Sequence, residues 1–430
     1  MKLETEGIEI ISIEKQTTGL WDMAFIWFCA NVAVPRLMMG GSLMSLGFSK
    51  AAFLLLWGNI LVILPLLAVG IIGHKVRVPT MAATRMTFGI KGSYVPAFAN
   101  GISLFGWAAN ITVISGFSIN AIISTITGFD NVLLWILFTG IVQLLITAFG
   151  FRAITWLQRV SMPLLALLSI YSLYMLINKF GWSNLVSVAS NNPIPLMLGL
   201  DILAANAFAW GPMVCDYTRY SKNPASASWG TLIGSVTGAA GFMFVGLVSG
   251  IATGSPNPVA MLVESGMSTP MLIILAFVLA IAGITTNVMN IYSSSISFVN
   301  VFPKAKPWKI IGVVGIIVTG IALIPNLIGY FINFLIIVGS IFVPLIAIML
   351  VDFFLLKKQD VDPEQLLVTN SGSRYWYNNG FNLRAIIIWV LGAVFYNVLP
   401  FIAPSLGSTL PCFIIVAVAY FAVEKAAGNK

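Results

Sequence analysis

The residues best suited to chemistry in this chain are neutral oxygens and amides set among apolar neighbours. Residues 280–297 read A-I-A-G-I-T-T-N-V-M-N-I-Y-S-S-S-I-S, and nine of them are hydroxyl or amide residues or the tyrosine. Such hydroxyls can bond back to their own helix or seam two helices together. They can also hold a cation weakly. Thr285 and Thr286 offer adjacent neutral oxygens, and neutral oxygens with exposed carbonyls suit sodium without the carboxylate a proton carrier needs. Residues 100–111 read N-G-I-S-L-F-G-W-A-A-N-I, where Gly106 beside Trp107 leaves room for a neighbouring backbone or a flat ligand. Asn110 follows one turn later on roughly the same face and supplies both a donor and an acceptor. Residues 204–214, A-A-N-A-F-A-W-G-P-M-V, gather Asn206, Phe208 and Trp210 at a Gly211-Pro212 break. One aromatic from each of these two stretches would sandwich a planar heterocycle while amides read its edge. Trp107 has an equally simple reading as a packing residue.

Charges deep in apolar sequence are functional hypotheses by default. Arg36 is one, and Asp201 is the only acidic residue of comparable depth. Asp201 is a candidate proton site, or else a helix-end residue facing water. Asp216 and Arg219, in D-Y-T-R-Y, read as a structural ion pair or gate element. Enzymatic chemistry has little to stand on. Neither G-x-x-x-x-G-K-[ST] nor G-x-G-x-x-G occurs, the single histidine is His74, and no hydrolytic triad is recognisable. Cys29, Cys215 and Cys412 are scattered without metal-ligand spacing and read as small core residues. A receptor that binds without transporting is a further alternative, disfavoured because no signalling domain is present.

The elements that must position these groups lie in lipid. The chain is 59% hydrophobic and 8% charged, with a mean hydropathy of +0.97, against about 25% charged for soluble domains. Twelve apolar runs lie near 20–46, 51–73, 93–127, 132–151, 160–178, 194–215, 227–252, 269–301, 308–328, 329–356, 384–403 and 407–424. Only Pro325-Asn326 and Gly329 mark a turn between the ninth and tenth. A spanning helix needs about 20 apolar residues, so twelve transmembrane helices are expected in an all-α integral membrane protein. With both ends cytoplasmic, fifteen basic residues fall on inward connections and only Lys50 and Lys179 on outward ones. This is the positive-inside pattern, and it accounts for the +8 net charge without nucleic acid. Residues 1–19 read as a cytoplasmic tail rather than a signal peptide. Residues 74–94 are expected to include a short interfacial helix, 357–383 a cytoplasmic loop, and 425–430 a tail.

The first run contains N-V-A-V-P-R-L-M-M-G-G-S, residues 31–42, whose proline should break or kink the helix. Broken backbone in lipid is tolerated only against protein or a wet cavity, where transporters hold substrate and ions. The Gly211-Pro212 break lies five spans later. An odd separation reverses the helix direction, as inverted repeats require, so residues 20–178 and 194–356 are expected to be two five-helix repeats, followed by two C-terminal helices over 384–424.

T-R-M-T-F-G-I-K-G-S-Y (84–94), W-G-P-M-V-C-D-Y-T-R-Y (210–220) and T-T-N-V-M-N-I-Y-S (285–293) resemble the nucleobase–cation symporter-1 family, whose members include cytosine, hydantoin, allantoin and hydroxymethylpyrimidine permeases. The similarity covers essentially the whole chain. It implies the five-plus-five fold and a sodium site built from the Cys29 and Val32 carbonyls, the Ala282 carbonyl and the Thr285 and Thr286 hydroxyls. The family's stacking tryptophan matches Trp107, and Asn287 matches a pocket position of some members. Its second stacking aromatic falls on Ala207, so the pocket is rebuilt around Phe208, Ala209 and Trp210 or the register shifts by one. Leu104 replaces a base-reading glutamine. The expectation is a sodium-coupled importer of a small planar pyrimidine-like compound, cytosine or hydroxymethylpyrimidine foremost, using Asn110, Asn206 and Asn287 for the polar edge. Proton coupling through Asp201 is the rival. The site implies no cofactor beyond the coupling ion; a multi-pass place in the cell membrane and a monomer are the default expectations.

Overall fold

The computed structural model describes residues 3–188, 194–255, 269–324 and 331–428. Nearly all of the apolar sequence in them is helical, because a backbone in lipid must satisfy its own hydrogen bonds. The first run forms α1 (Leu20–Asn31) and α2 (Val34–Ser42). It is followed by α3 (Phe48–Val76), α4 (Tyr94–Thr127), α5 (Val132–Ala148) and α6 (Gly150–Phe180). The sixth run comprises α7 (Leu196–Trp210), a tight turn at Gly211–Met213 and α8 (Val214–Thr218). Then come α9 (Pro224–Thr253), α10 (Thr269–Val301), α11 (Pro307–Ala322), α12 (Phe331–Leu350), α13 (Leu383–Ile402) and α14 (Thr409–Ala426).

Among the described residues nine helices are long and apolar enough to cross a membrane, or ten if the bent α1–α2 pair is one span. The expected twelve therefore needs qualification. α5 and α11 are apolar but hold 17 and 16 residues, short of the usual twenty or so. The turn expected at Pro325-Asn326 and Gly329 lies outside the described residues.

The helices pack in a pattern with internal order. α1 lies on α9 and α7 on α3; α4 pairs with α5 and α10 with α11; α1 meets α6 and α7 meets α12. Three further pairs, α3 with α9, α4 with α10 and α5 with α11, complete the set. Exchanging each apolar run for the one five places later maps these contacts onto themselves.

The break in the first run falls at Val32 (φ −86°, ψ 81°) and Ala33 (φ −141°, ψ 152°), with a bend of 68° between the halves. Pro35 does not cause it directly. It occupies the first turn of α2, where its missing N–H is an orphan in any case. Gly40 and Gly41 remain helical and serve close packing. A Cβ on Gly40 would overlap the Met243 carbonyl, and one on Gly250 would lie 2.8 Å from Gly41 Cα. The sixth run corrects a second expectation. Gly211-Pro212 tightens the helix into one 3₁₀ turn, yet Leu196–Thr218 continues as a single 23-residue span.

At one end of the bundle the N-terminal residues pack down as a strap. Ile11 N–H donates to Arg77 O (3.0 Å) and Thr18 N–H to Tyr220 O (3.0 Å). Arg219 donates to Gly7 O (2.8 Å) and to the Tyr220 and Tyr292 hydroxyls (3.0 Å each). It is not paired with Asp216, whose carboxylate accepts Thr80 N–H (2.9 Å). Two short helices, Thr80–Ala83 and Arg85–Phe88, stand where one short interfacial helix was expected, and both are buried against the rest of the protein. Residues 357–382 fold over them, with Arg85 donating to Leu366 O (2.8 Å) and Asn382 N–H to Phe88 O (2.8 Å). The T-R-M-T-F-G motif thus clamps a loop in place.

Candidate functional site

The break in the first run opens onto a cavity. Ala30, Ala33, Pro35 and Arg36 line it from the two half-helices, Leu104, Trp107 and Ile111 from α4, and Thr286 and Asn290 from α10. Asn206, Ala209 and Trp210 of α7 and the adjoining Met213 close the remaining side. In this conformation its walls are almost entirely buried side chains.

Trp107 and Trp210 both face this space, so α4 and α7 each contribute an aromatic, as the sequence suggested. Trp210 is held edge-on by Trp27 (centroids 5.7 Å apart), and Trp107 edge-on by Phe334 (5.7 Å). Both indoles are therefore fixed by rings rather than free to swing. Phe208 is elsewhere. It packs on Phe413 of α14 at 5.4 Å, and neither it nor Ala207 lines the cavity. Asn206 does, and its Oδ1 is buried without a hydrogen-bond partner among the described residues.

Beside the cavity sit the oxygens proposed for a cation. Thr286 Oγ1 donates to the Cys29 carbonyl near the end of α1 (3.1 Å), and Thr285 Oγ1 donates to the Ala282 carbonyl (3.0 Å). All four residues are essentially fully buried. Each of these hydroxyls now spends its proton on a carbonyl, and a hydroxyl can turn its lone pair outward to a cation when it no longer has to. Val32, the fifth expected ligand, is buried at the break itself.

A residue the sequence reading passed over also belongs here. Gln158 of α6 is fully buried and donates its Nε2 to the Thr285 carbonyl (3.0 Å), while the Cys29 thiol lies 3.7 Å from the Gln158 backbone carbonyl. A carbonyl can only accept, so the amide orientation is set and Oε1 is left without a partner among the described residues. Its signal was a glutamine inside an apolar helix.

The family model for permeases for cytosine/purines, uracil, thiamine and allantoin matches residues 10–423. The chain belongs to that family. It is a membrane permease and not an enzyme. The hydantoin permease of Microbacterium maritypicum is 25% identical over 398 residues, spanning 88% of this chain and 81% of that protein. The cytosine permease of Escherichia coli K12 is 26% identical over 405 residues, spanning 92% and 91%. A nucleobase-cation-symport-1 family transporter in a closed conformation with bromovinylhydantoin bound has the same fold, with a TM-score of 0.82 at 22% identity over 99% of this chain and 95% of that one. An inward-facing conformation of the same transporter gives 0.74, again at 22% identity, over 99% and 94%.

Within this permease several expected pocket residues have other tasks. Asn287 does not line the cavity. Its Nδ2 lies 3.0 Å from Ala108 O, 2.8 Å from Thr112 Oγ1 and 2.7 Å from Gln143 Oε1, knotting α10 to α4 and α5. Asn290, one turn on, lines the cavity in its place. Asn110 back-bonds to the Gly106 carbonyl (2.8 Å) and also lies outside the cavity wall. Asp201 is not among the residues that line the cavity. Its carboxylate accepts Ser408 N–H (3.1 Å) and Thr409 N–H (2.7 Å), capping α14.

Proposed function

We propose that this permease is a sodium-coupled symporter that imports a small planar nucleobase-like heterocycle by alternating access. The ring stacks between Trp107 and Trp210, with Asn206 and Asn290 on its polar edge. Sodium sits among the carbonyls of Cys29, Val32 and Ala282 and the hydroxyls of Thr285 and Thr286. The observation that carries this reading is the position of Thr286, which touches the Cys29 carbonyl at the break and also forms part of the cavity wall. One side chain common to both sites gives each ligand a reason to favour the same state of the other, and linkage makes that coupling reciprocal.

The architecture proposed with it is twelve spans in two inverted five-helix repeats, in the cell membrane with both ends cytoplasmic. The self-mapping helix contacts and the fifteen-to-two distribution of basic residues support it. Proton coupling through Asp201 finds no support, because that carboxylate is occupied at a helix end. The test is uptake of labelled cytosine and hydantoin into proteoliposomes with and without sodium. Thr286→Ala is expected to remove sodium stimulation and Trp107→Ala to weaken uptake at least tenfold. Sodium stimulation undiminished in Thr286→Ala would end the ion assignment.

A further inference from the structure

Arg36 lines the cavity and is 2% exposed. Its Nη2 donates to Asn31 Oδ1, while Nη1 is buried with no partner among the described residues. The Asn31 amide cannot turn away, since its Nδ2 donates to Trp27 O (2.8 Å). The carboxylates that could neutralise this guanidinium are engaged elsewhere. Asp22 pairs with Arg159 and Asp352 with Lys357; Asp201 caps α14 and Asp216 holds Thr80. A cationic fork at membrane depth with only a neutral amide for company carries a large desolvation penalty.

Its surroundings add to the positive field. Ala33 and Pro35 place the N-terminal end of α2 on the same wall, and an N-terminal helix end favours negative charge. The C-terminal end of α1, with the Cys29 carbonyl, faces the opposite way in charge. The break thus presents an electronegative end to the cation site and an electropositive end, with a free guanidinium N–H pair, to the cavity. Resting on the reading of this cavity as the substrate site, we propose that the substrate is a planar heterocyclic monoanion whose charged oxygens are bound by Arg36 Nη1. A ring carboxylate and an ionised ring imide present the same acceptor chemistry. Such an anion would also draw in the cation beside Thr286, since a positive ion near Arg36 without a counter-charge is disfavoured.

The experiment is equilibrium binding to purified, sodium-loaded protein of three ring-matched probes: uracil (neutral), orotate (carboxylate) and barbiturate (ionised ring). At least one anion is expected to bind tenfold or more tighter than uracil, and which one identifies the source of the charge. Arg36→Met should lose that preference while binding uracil as well as or better than before. Arg36→Lys, which keeps the charge but not the fork, should fall between. Uracil binding as tightly as both anions, equal losses for neutral and anionic probes in Arg36→Met, or no binding of any probe would overturn the proposal. Trp107→Ala separates the two readings. Binding that depends on Trp107 without preferring anions refutes only the anion assignment, whereas binding indifferent to Trp107 refutes the cavity as substrate site.

Discussion

A matched pair of substitutions on α9 tests how tightly the broken span is held. α1 and α2 lie along α9 with backbone against backbone, because Gly230, Gly234, Gly238, Gly246 and Gly250 remove the side chains that would keep them apart. A Cβ at Gly238 would stand 2.5 Å from the Phe28 carbonyl oxygen and 3.1 Å from its carbon. Ordinary carbon–oxygen contacts lie at about 3.3 to 3.6 Å, so alanine there must push α1 away by roughly 1 Å. The atoms met are backbone and cannot swing aside, which places the cost toward the top of the about 1 to 3 kcal/mol seen for overpacking. Gly241, three residues on in the same helix, has nothing within 4 Å of its would-be Cβ. Alanine there gains helix propensity of up to about 1 kcal/mol. The same chemical change should therefore act with opposite sign at the two positions, and effects on the unfolded state largely cancel between them. Thermal unfolding in detergent at one fixed scan rate, followed by tryptophan fluorescence, is the assay. Gly238→Ala is expected to melt several degrees below Gly241→Ala. Because Phe28 precedes Cys29, only Gly238→Ala should also weaken sodium stimulation. Equal shifts, or a lower midpoint for Gly241→Ala, would refute the backbone-contact account.

Two further outcomes follow from the site and the strap. Asp201→Ala should lower thermal stability by about 1 to 2 kcal/mol through loss of the α14 cap, while the pH profile of uptake stays that of the wild type; a flattened profile would restore Asp201 as a proton carrier. At the strap, burial opposes the charge on Glu6, but hydrogen bonds from Lys15 and Tyr220 outweigh it and hold the carboxyl below its ordinary 4.5. A depressed carboxylate contributes stability that is present above the ordinary value and lost as pH falls through the folded one. Glu6→Gln should therefore melt below wild type at pH 7 and converge with it in acid, and a gap that persists in acid would contradict this.

The features legible in the sequence are those that lipid enforces. Long apolar runs had to become helices, and a proline, an arginine and paired glycines inside one of them announced a break. Thr285 and Thr286 stood out because adjacent hydroxyls are rare company for Ala282 and Ile284. Direction around a helix was less legible. Asn287 and Asn290 are both polar and three residues apart, yet only the packing of α4 and α5 decides that Asn287 is consumed by Gln143 while Asn290 faces the cavity. The same holds for Phe208 and Trp210, two positions apart on α7. Asp201 looked free because its partners are Ser408 and Thr409, some two hundred residues away. The glycine row at 230, 234 and 238 was readable as a small-xxx-small seam, and it names the surface on which α1 rests.

The position of the break matters more than its existence. Had the helix ended at Gly40-Gly41, as glycines invite, the carbonyls of Cys29 and Val32 would be bonded within the helix and Arg36 would lie mid-helix. Instead Val32 and Ala33 leave helical geometry, and Pro35 is a suitable second-half opener because it needs no partner for a missing N–H. The two half-helices then end and begin at opposite electrostatic polarity within a few residues. Thr286 sits at the first end and Arg36 at the second, and both line the cavity. On the proposed reading, a cation at one pole strengthens the hold on an anionic ring at the other, so cargo alone or ion alone leaves an unbalanced charge among buried walls. Closure of the walls is then favoured most when both are aboard, which is the property a symporter requires.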